Sequence, residues 1–195
     1  IGRKGYEEIK GKENYDIWVR QGTMQVVEWA NENACLPTYN FREGVFEHSK
    51  EVDGYLLEKI KVDRKGCPMC NAQCGNIVKD FSDQLSELDY ENVGMLGPNL
   101  GMKNLRQVAL LNRMADELGL DTISLGSCIG FLMEASEKGL ISEGIRWGDF
   151  EGAQKLIRDG VKGEGLGEIA RSGVRAASEI IGKGSNRWAM QVKGL

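Results

Sequence analysis

Apolar residues in this chain recur mostly at helical spacing. Over 15–33, Ile17, Val19, Met24, Val27 and Trp29 supply the anchors of a helix that Leu36-Pro37 ends. Leu105, Val108, Leu111, Ala115 and Leu118 share one face and predict a helix over 104–118. A second covers 122–138 and stops at Gly139. Two more follow over 150–161 and 166–181, separated by Gly163 and Gly165. Residues 36–80 hold no sustained period and read as irregular, with turns at Asn40-Phe41 and Gly44, and only 76–80 reads as a short strand. With only three prolines and many helix-length periods, the pattern predicts an all-α fold with long glycine-marked connections, one helical domain over 1–195. No internal repeat or low-complexity tract interrupts it.

Composition narrows the class. A chain of 195 residues can bury a full core. Its net charge of −4 offers no electrostatic argument for nucleic acid or a membrane surface. No apolar run approaches the roughly 20 residues of a spanning helix, and the start shows no signal-peptide pattern. The chain begins at Ile1 and ends on the apolar run 188–195 with no helix stop, so both ends look cut from a longer protein.

Chemistry concentrates in Cys67-Pro68-Met69-Cys70-Asn71-Ala72-Gln73-Cys74, three thiols at C-x2-C-x3-C spacing followed by Gly75. Thiolates are soft ligands, and three in one loop can wrap a single metal centre. An iron–sulfur centre of the [4Fe–4S] type normally takes four such ligands. Zinc would usually show a second C-x2-C or a histidine pair, and His48 is the only histidine. Iron–sulfur, zinc and three unligated thiols all stay open, the first favoured. Cys35 and Cys128 could each complete a centre or be buried free thiols. Five cysteines with three bunched in one loop make no disulfide framework, which implies a reducing compartment and a cytoplasmic location.

The stretch Asp116-Glu117-Leu118-Gly119-Leu120-Asp121-Thr122-Ile123-Ser124 has a structural reading. Gly119 would close one helix in the left-handed region, Leu120 would staple it, and Asp121 would cap the next. Asp116 and Glu117 are not explained this way, because two carboxylates in a last turn oppose the helix dipole. A carboxylate there could accept paired hydrogen bonds from an amino-pyrimidinone edge.

Together these stretches resemble the aldehyde ferredoxin oxidoreductases, bis-pterin enzymes that use tungsten or sometimes molybdenum. The resemblance runs through Gly22-Thr23, the segment Leu36-Pro37-Thr38-Tyr39-Asn40-Phe41, the cysteine loop, and Tyr90-Glu91 with Gly94. It continues through Asp116 to Ser124, Glu134 with Gly139-Leu140, and Val192-Lys193-Gly194-Leu195. It implies the family's helical middle domain, lying between a β-rich pterin domain and a further helical domain. On that resemblance Cys67, Cys70 and Cys74 are three ligands of a [4Fe–4S] cluster whose fourth cysteine lies in the following domain. Asp116, Gly119, Leu120, Asp121 and Thr122 are implied to hold one pterin. Glu91 is implied to sit near the metal and the aldehyde as a hydrogen-bond donor or proton relay. The reaction implied is aldehyde plus water to carboxylic acid, with ferredoxin taking two electrons. The remaining domains of a parent chain are implied partners, so the isolated piece is expected to be inactive. Some members hold a metal between subunits through histidine; with His48 outside the matching region, that site is expected to be missing.

Three other readings compete. A zinc-binding structural module would complete three cysteines with Cys35, His48 or Cys128. A small ferredoxin-like carrier would need a second cluster. A different member of the wider tungstopterin family, such as one acting on aryl thioesters, is the third, because the substrate pocket is assembled from several domains.

Overall fold

The computed structural model describes residues 2–142 and 144–194; the two terminal residues that made the ends look cut, and Leu195 of the last motif, lie outside them. Ten α-helices and one small sheet make up the regular structure of the described residues. The helices are α1 Gly2–Lys10, α2 Tyr15–Gln21, α3 Gln25–Glu32, α4 Gly54–Ile60 and α5 Tyr90–Leu96. They continue with α6 Leu105–Leu118, α7 Thr122–Glu137, α8 Phe150–Lys162, α9 Gly165–Ala170 and α10 Val174–Ile181. Three antiparallel strands, β1 Lys61–Lys65, β2 Gly75–Lys79 and β3 Leu85–Leu88, form a meander in the order β1-β2-β3.

The long helices behave as their apolar spacing predicts. α6 starts on Asn104, whose side chain accepts from the Arg106 and Gln107 backbone N–H groups, and turns Leu105, Val108, Leu111 and Ala115 inward. α7 is buried continuously from Leu125 to Ala135. Apolar on all sides, it is the central helix, with α5 packed against it. α6 lies over β3, and α8 pairs with α9. One cluster of buried residues runs from Met24 and Leu36 through Leu57 and Leu96 to Ile129, Ile157 and Val174. No helix among the described residues is long and apolar enough to cross a bilayer.

The all-α expectation is corrected by the sheet. The strand expected over 76–80 is β2, but α4 and β1 also lie within 36–80, which was otherwise expected to be irregular. β1 reads Lys-Val-Asp-Arg-Lys and is exposed along nearly its whole length, so no period-two apolar signal marks it. β3 has four residues, too few for a period. Local pattern fails here because pairing with β2, which is buried at four of its five positions or nearly so, holds both strands.

Two predicted helices are also divided. The helix over 15–33 breaks at Gly22–Met24 into α2 and α3. The helix over 166–181 breaks near Ser172-Gly173 into α9 and α10. At the first break a side chain on Gly22, whose φ is +59°, would bring a Cβ to 2.0 Å from the Cys74 carbonyl oxygen. Gly22 is therefore the contact through which the helical body supports the base of the cysteine loop.

The segment at Tyr39, Asn40 and Phe41 has three consecutive residues with positive φ, at 49°, 57° and 58°. Such a run is strained and persists only where its surroundings over-determine it. Tyr39 and Asn40 N–H groups donate to the Pro98 and Asn99 carbonyls, and Phe41 N–H donates to Asn99 Oδ1. The Asn40 amide donates at 2.7 Å to buried Glu134, which also pairs with Lys138 at 3.1 Å. Two stretches of the resemblance, 36–41 and Glu134, thus meet as one structural knot.

Candidate cofactor site

The cysteine loop is the tip of the β1–β2 hairpin. β1 ends at Lys65 and β2 begins at Gly75, with Lys65 paired to Gly75, so Cys67, Cys70 and Cys74 fall in the loop between the two strands, which α1 and α2 touch through Tyr6 and Tyr15. Gly22 and buried Asn76 hold its root. The Asn76 amide donates to the Gln21 and Leu88 carbonyls at 3.0 and 3.1 Å, and Asn76 Oδ1 accepts from Lys61. Cys67 is exposed, Cys70 and Cys74 are partly buried, and none is in a disulfide.

Backbone N–H groups of Gln73 and Ala72 face the Cys70 sulfur and hold its thiol below the ordinary range. Burial pushes the Cys74 thiol up, and the negative charge of Asp89 adds to it. In donor type the loop fits a soft metal centre, with three free thiols on one hairpin tip. Among the described residues, however, no three His, Cys, Asp or Glu side chains are gathered closely enough to ligate a metal ion. The donors are supplied but not converged, as expected where binding itself completes the fold of a ligand loop.

The two other thiols are placed differently. Cys128 is buried in α7, and burial pushes its thiol up to about 11. Cys35 is exposed, which corrects the buried reading for that residue. His48 is engaged with Glu51 at 2.9 Å.

A cleft of about 430 Å³ opens beside the loop, lined by Lys65, Cys67, Pro68, Cys74, Glu87 and Asp89. Lys65 and Glu87 pair across it at 2.8 Å. Asp89 precedes α5, and the hydroxyl of Thr23 joins the two by donating to Asp89 Oδ1 and accepting from the Tyr90 N–H. Burial pushes the Asp89 carboxyl up against the opposing Thr23 hydrogen bond, and Glu87 and Glu91 push it further. Glu91 lies exposed in the first turn of α5, within electrostatic reach of Asp89.

Asp116 approaches the cleft from the end of α6. Its carboxyl is pushed up by partial burial and then by Glu87. Asn112, one turn earlier and buried, donates to Asp116 Oδ2 at 3.1 Å and to the Glu87 carbonyl at 2.8 Å, fixing the end of α6 against β3. Glu117 is taken up by Arg113 at 2.7 Å. Gly119 closes α6 with φ +68°, and the Leu120 N–H returns to the Ala115 carbonyl at 2.8 Å. Asp121 caps α7, accepting from Ser124 N–H at 2.7 Å, and Thr122 is its first residue.

The structure therefore places Cys67 and Cys74 on one cleft with Lys65, Glu87 and Asp89, with Asp116 in electrostatic reach of Glu87 and Lys65 and Glu91 in reach of Asp89. It gives Asp121 a cap role that occupies one carboxylate oxygen. Asn76, Asp89 and Asn112 were given no role from sequence, and Thr23 was named only as part of the Gly22-Thr23 stretch. A buried asparagine on the apolar side of α6 was the one legible signal, at Asn112.

The family described as "Aldehyde ferredoxin oxidoreductase, domains 2 & 3" matches residues 1–195. The tungsten-containing aldehyde ferredoxin oxidoreductase of Thermococcus kodakarensis is 33% identical over 185 residues, 90% of this chain and 30% of the relative. That of Pyrococcus abyssi is 34% identical over 177 residues, covering 84% of this chain and 29% of the relative. A WOR-like subunit of an aliphatic sulfonate oxidoreductase from Pyrococcus furiosus is 36% identical over 116 residues, covering 55% of this chain. Among solved structures, the active-site complex BamBC of benzoyl coenzyme A reductase superposes with a TM-score of 0.68 over 85% of this chain at 21% identity, a likeness of fold. The chain spans less than a third of the length of these curated relatives. On the match over its full length, the chain belongs to the aldehyde ferredoxin oxidoreductase family.

Proposed function

We propose that the chain is the cluster-carrying part of an oxidoreductase that converts aldehydes to carboxylic acids and passes electrons to ferredoxin. The observation that carries this reading is a cleft lined by two thiols of the hairpin tip with Glu87 and Asp89, where Asp116 at the end of α6 is in electrostatic reach of Glu87 and Lys65, and Glu91 at the start of α5 is in reach of Asp89. Cys67, Cys70 and Cys74 would hold a [4Fe–4S] cluster, with the fourth ligand coming from outside this loop. Asp116, Gly119, Leu120, Asp121 and Thr122 would hold one pterin of a tungsten or molybdenum bis-pterin. When bound, that group supplies the two-electron chemistry, and the protein supplies position and electrostatics.

Each residue has a task that its place supports. Asp116 offers a carboxylate oriented by Asn112 at a helix end, suited to accepting from a pair of N–H donors. Asp121 keeps one oxygen on Ser124 and has the other for such a donor. Glu91 is exposed two residues after Asp89, which lines the cleft, and a covering domain would desolvate it and make it a proton donor or acceptor for substrate. The first strand, the cleft and the loop are open in this piece, and the chain alone is proposed to be inactive.

Metal analysis of the full-length enzyme, purified without oxygen, tests the reading. Iron with acid-labile sulfide that drops on Cys70→Ser, together with aldehyde-dependent reduction of ferredoxin, is the expected result. Stoichiometric zinc without sulfide would overturn it.

A further inference from the structure

Glu91 lies exposed in the first turn of α5, a helix of seven residues. The backbone N–H groups of a first turn have no partner within their own helix, and helix ends fray. Where the Glu91 carboxyl stands therefore depends on what holds that turn from outside.

Two side chains hold it. Asn92 Oδ1 accepts from the Asp89 N–H at 3.0 Å, a bond within the start of α5 itself. Thr23 comes from a different element, 67 positions before Tyr90. Its hydroxyl accepts from the Tyr90 N–H at 2.9 Å and donates to Asp89 Oδ1 at 3.2 Å. A hydroxyl can do both at once, and the β-branch of threonine limits the rotamers from which it could let go. Thr23 is braced in turn. It sits in the tight turn Gly22–Met24 between α2 and α3, where the Gln25 amide donates to the Gly22 carbonyl and the Asn76 amide to the Gln21 carbonyl, both at 3.0 Å. The rest of α5 is buried from Val93 to Leu96 and packs on α7. Packing thus fixes the body of α5, and Thr23 ties its start to the Gly22–Met24 turn. None of these bonds involves a residue between Lys65 and Gly75.

We propose that Thr23 is a positioning residue for Glu91: its hydroxyl fixes the first turn of α5, and with it the place from which the Glu91 carboxyl meets the substrate. The inference rests on Glu91 exchanging a proton with substrate, as proposed above. A displaced acid–base group costs rate rather than binding, because proton transfer needs hydrogen-bond reach in the transition state.

Thr23→Val keeps the shape of the side chain and removes both bonds. In the full-length enzyme it is expected to lower kcat by roughly 10- to 100-fold with KM near wild type, while iron, sulfide and pterin contents stay level. Amide hydrogen exchange across 89–93 should quicken in the same variant. Thr23→Ser, which retains the hydroxyl, should bring both readings back to wild type. A double-mutant cycle separates positioning from general support: added to Glu91→Gln, Thr23→Val should cost little further rate, because the group it positions has already been removed. An equal fold-loss in the two backgrounds overturns the inference, as does an unchanged kcat or unchanged exchange in Thr23→Val. Loss of cofactor from Thr23→Val also overturns it, by making the hydroxyl a prop of the fold. So does a Thr23→Ser enzyme as slow as Thr23→Val, which would assign the effect to the methyl group. Wild-type turnover in Glu91→Gln would instead sink the role of Glu91 on which the inference rests.

Discussion

At Gly22 and Gly119 the same residue type answers two different demands. Gly119 has a left-handed φ and open space around it, so Gly119→Ala meets backbone strain alone. That change is expected to cost about 1–2 kcal/mol, readable as a lowered denaturant midpoint. Gly22 has the left-handed φ and also the Cys74 carbonyl where a Cβ would stand. Gly22→Ala must displace the root of the cysteine loop, adding roughly 1–3 kcal/mol of overpacking to the strain. It should therefore be the more costly of the two in denaturation, and should lower iron content where Gly119→Ala does not. Equal losses in the two variants would remove Gly22 from the support of the loop. Asp80 gives the residue scale a pH signature. Burial alone would raise its carboxyl, but Arg113 and the backbone N–H groups of Gln84 and Ser82 outweigh that and hold it below the ordinary range. A depressed folded pKa means stability that is present above the usual carboxylate pKa of about 4 and lost as pH falls through the lower folded value. Asp80→Ala takes one of the two carboxylate partners of Arg113, which keeps Glu117, and leaves two turn N–H groups without their acceptor, and should cost about 2 kcal/mol at neutral pH. The gap between variant and wild type in thermal melts should close on acidification; a constant gap would mean the loss is packing alone.

Elements here are defined by what they join as much as by their own residues. The β1–β2 hairpin exists to carry a loop: β1 contributes almost no buried surface, and its charged side chains face solvent and the cleft. The turn between α6 and α7 does the opposite work, since its residues are occupied by helix ends. Asp121→Asn should retain the cap of α7, because asparagine caps about as well as aspartate, whereas Asp121→Ala should cost about 1 kcal/mol. If Asp121 also holds a pterin, Asp121→Asn will lower pterin content in the full-length enzyme with stability unchanged, because an acceptor oxygen has become a donor. Normal pterin content in Asp121→Asn would leave Asp121 a cap and nothing more.

At the scale of the whole molecule, the acidic face at the cleft is what a further domain would cover. Glu87, Asp89, Glu91 and Asp116 converge there with Lys65 as the one cation lining the cleft among the described residues. Glu91→Gln in the full-length enzyme keeps size and a hydrogen-bond donor but removes proton transfer, a role worth roughly 10²–10⁴ in rate. Turnover of aldehyde should fall by that order while iron, sulfide and pterin contents stay level. Wild-type turnover in that variant would take Glu91 out of the chemistry.

The sequence by itself determined the long helices, their caps and the cysteine loop as the place of chemistry. These depend on contacts within about four residues: Asn104 and Asp121 cap the chain that follows them, and three thiols in eight residues are close whatever the fold. Tertiary structure decided the rest. It made β1 and β3 strands by pairing them to β2, and it broke the first long helix at Gly22, because the Cys74 carbonyl needed that space. It also set the end of α6 against β3 through the bond from Asn112 to the Glu87 carbonyl, which puts Asp116 in electrostatic reach of Glu87 and Lys65, a pairing of residues more than twenty positions apart. Local spacing encodes local hydrogen bonds and an apolar face; which face meets which loop is settled by packing, and packing is not periodic in sequence.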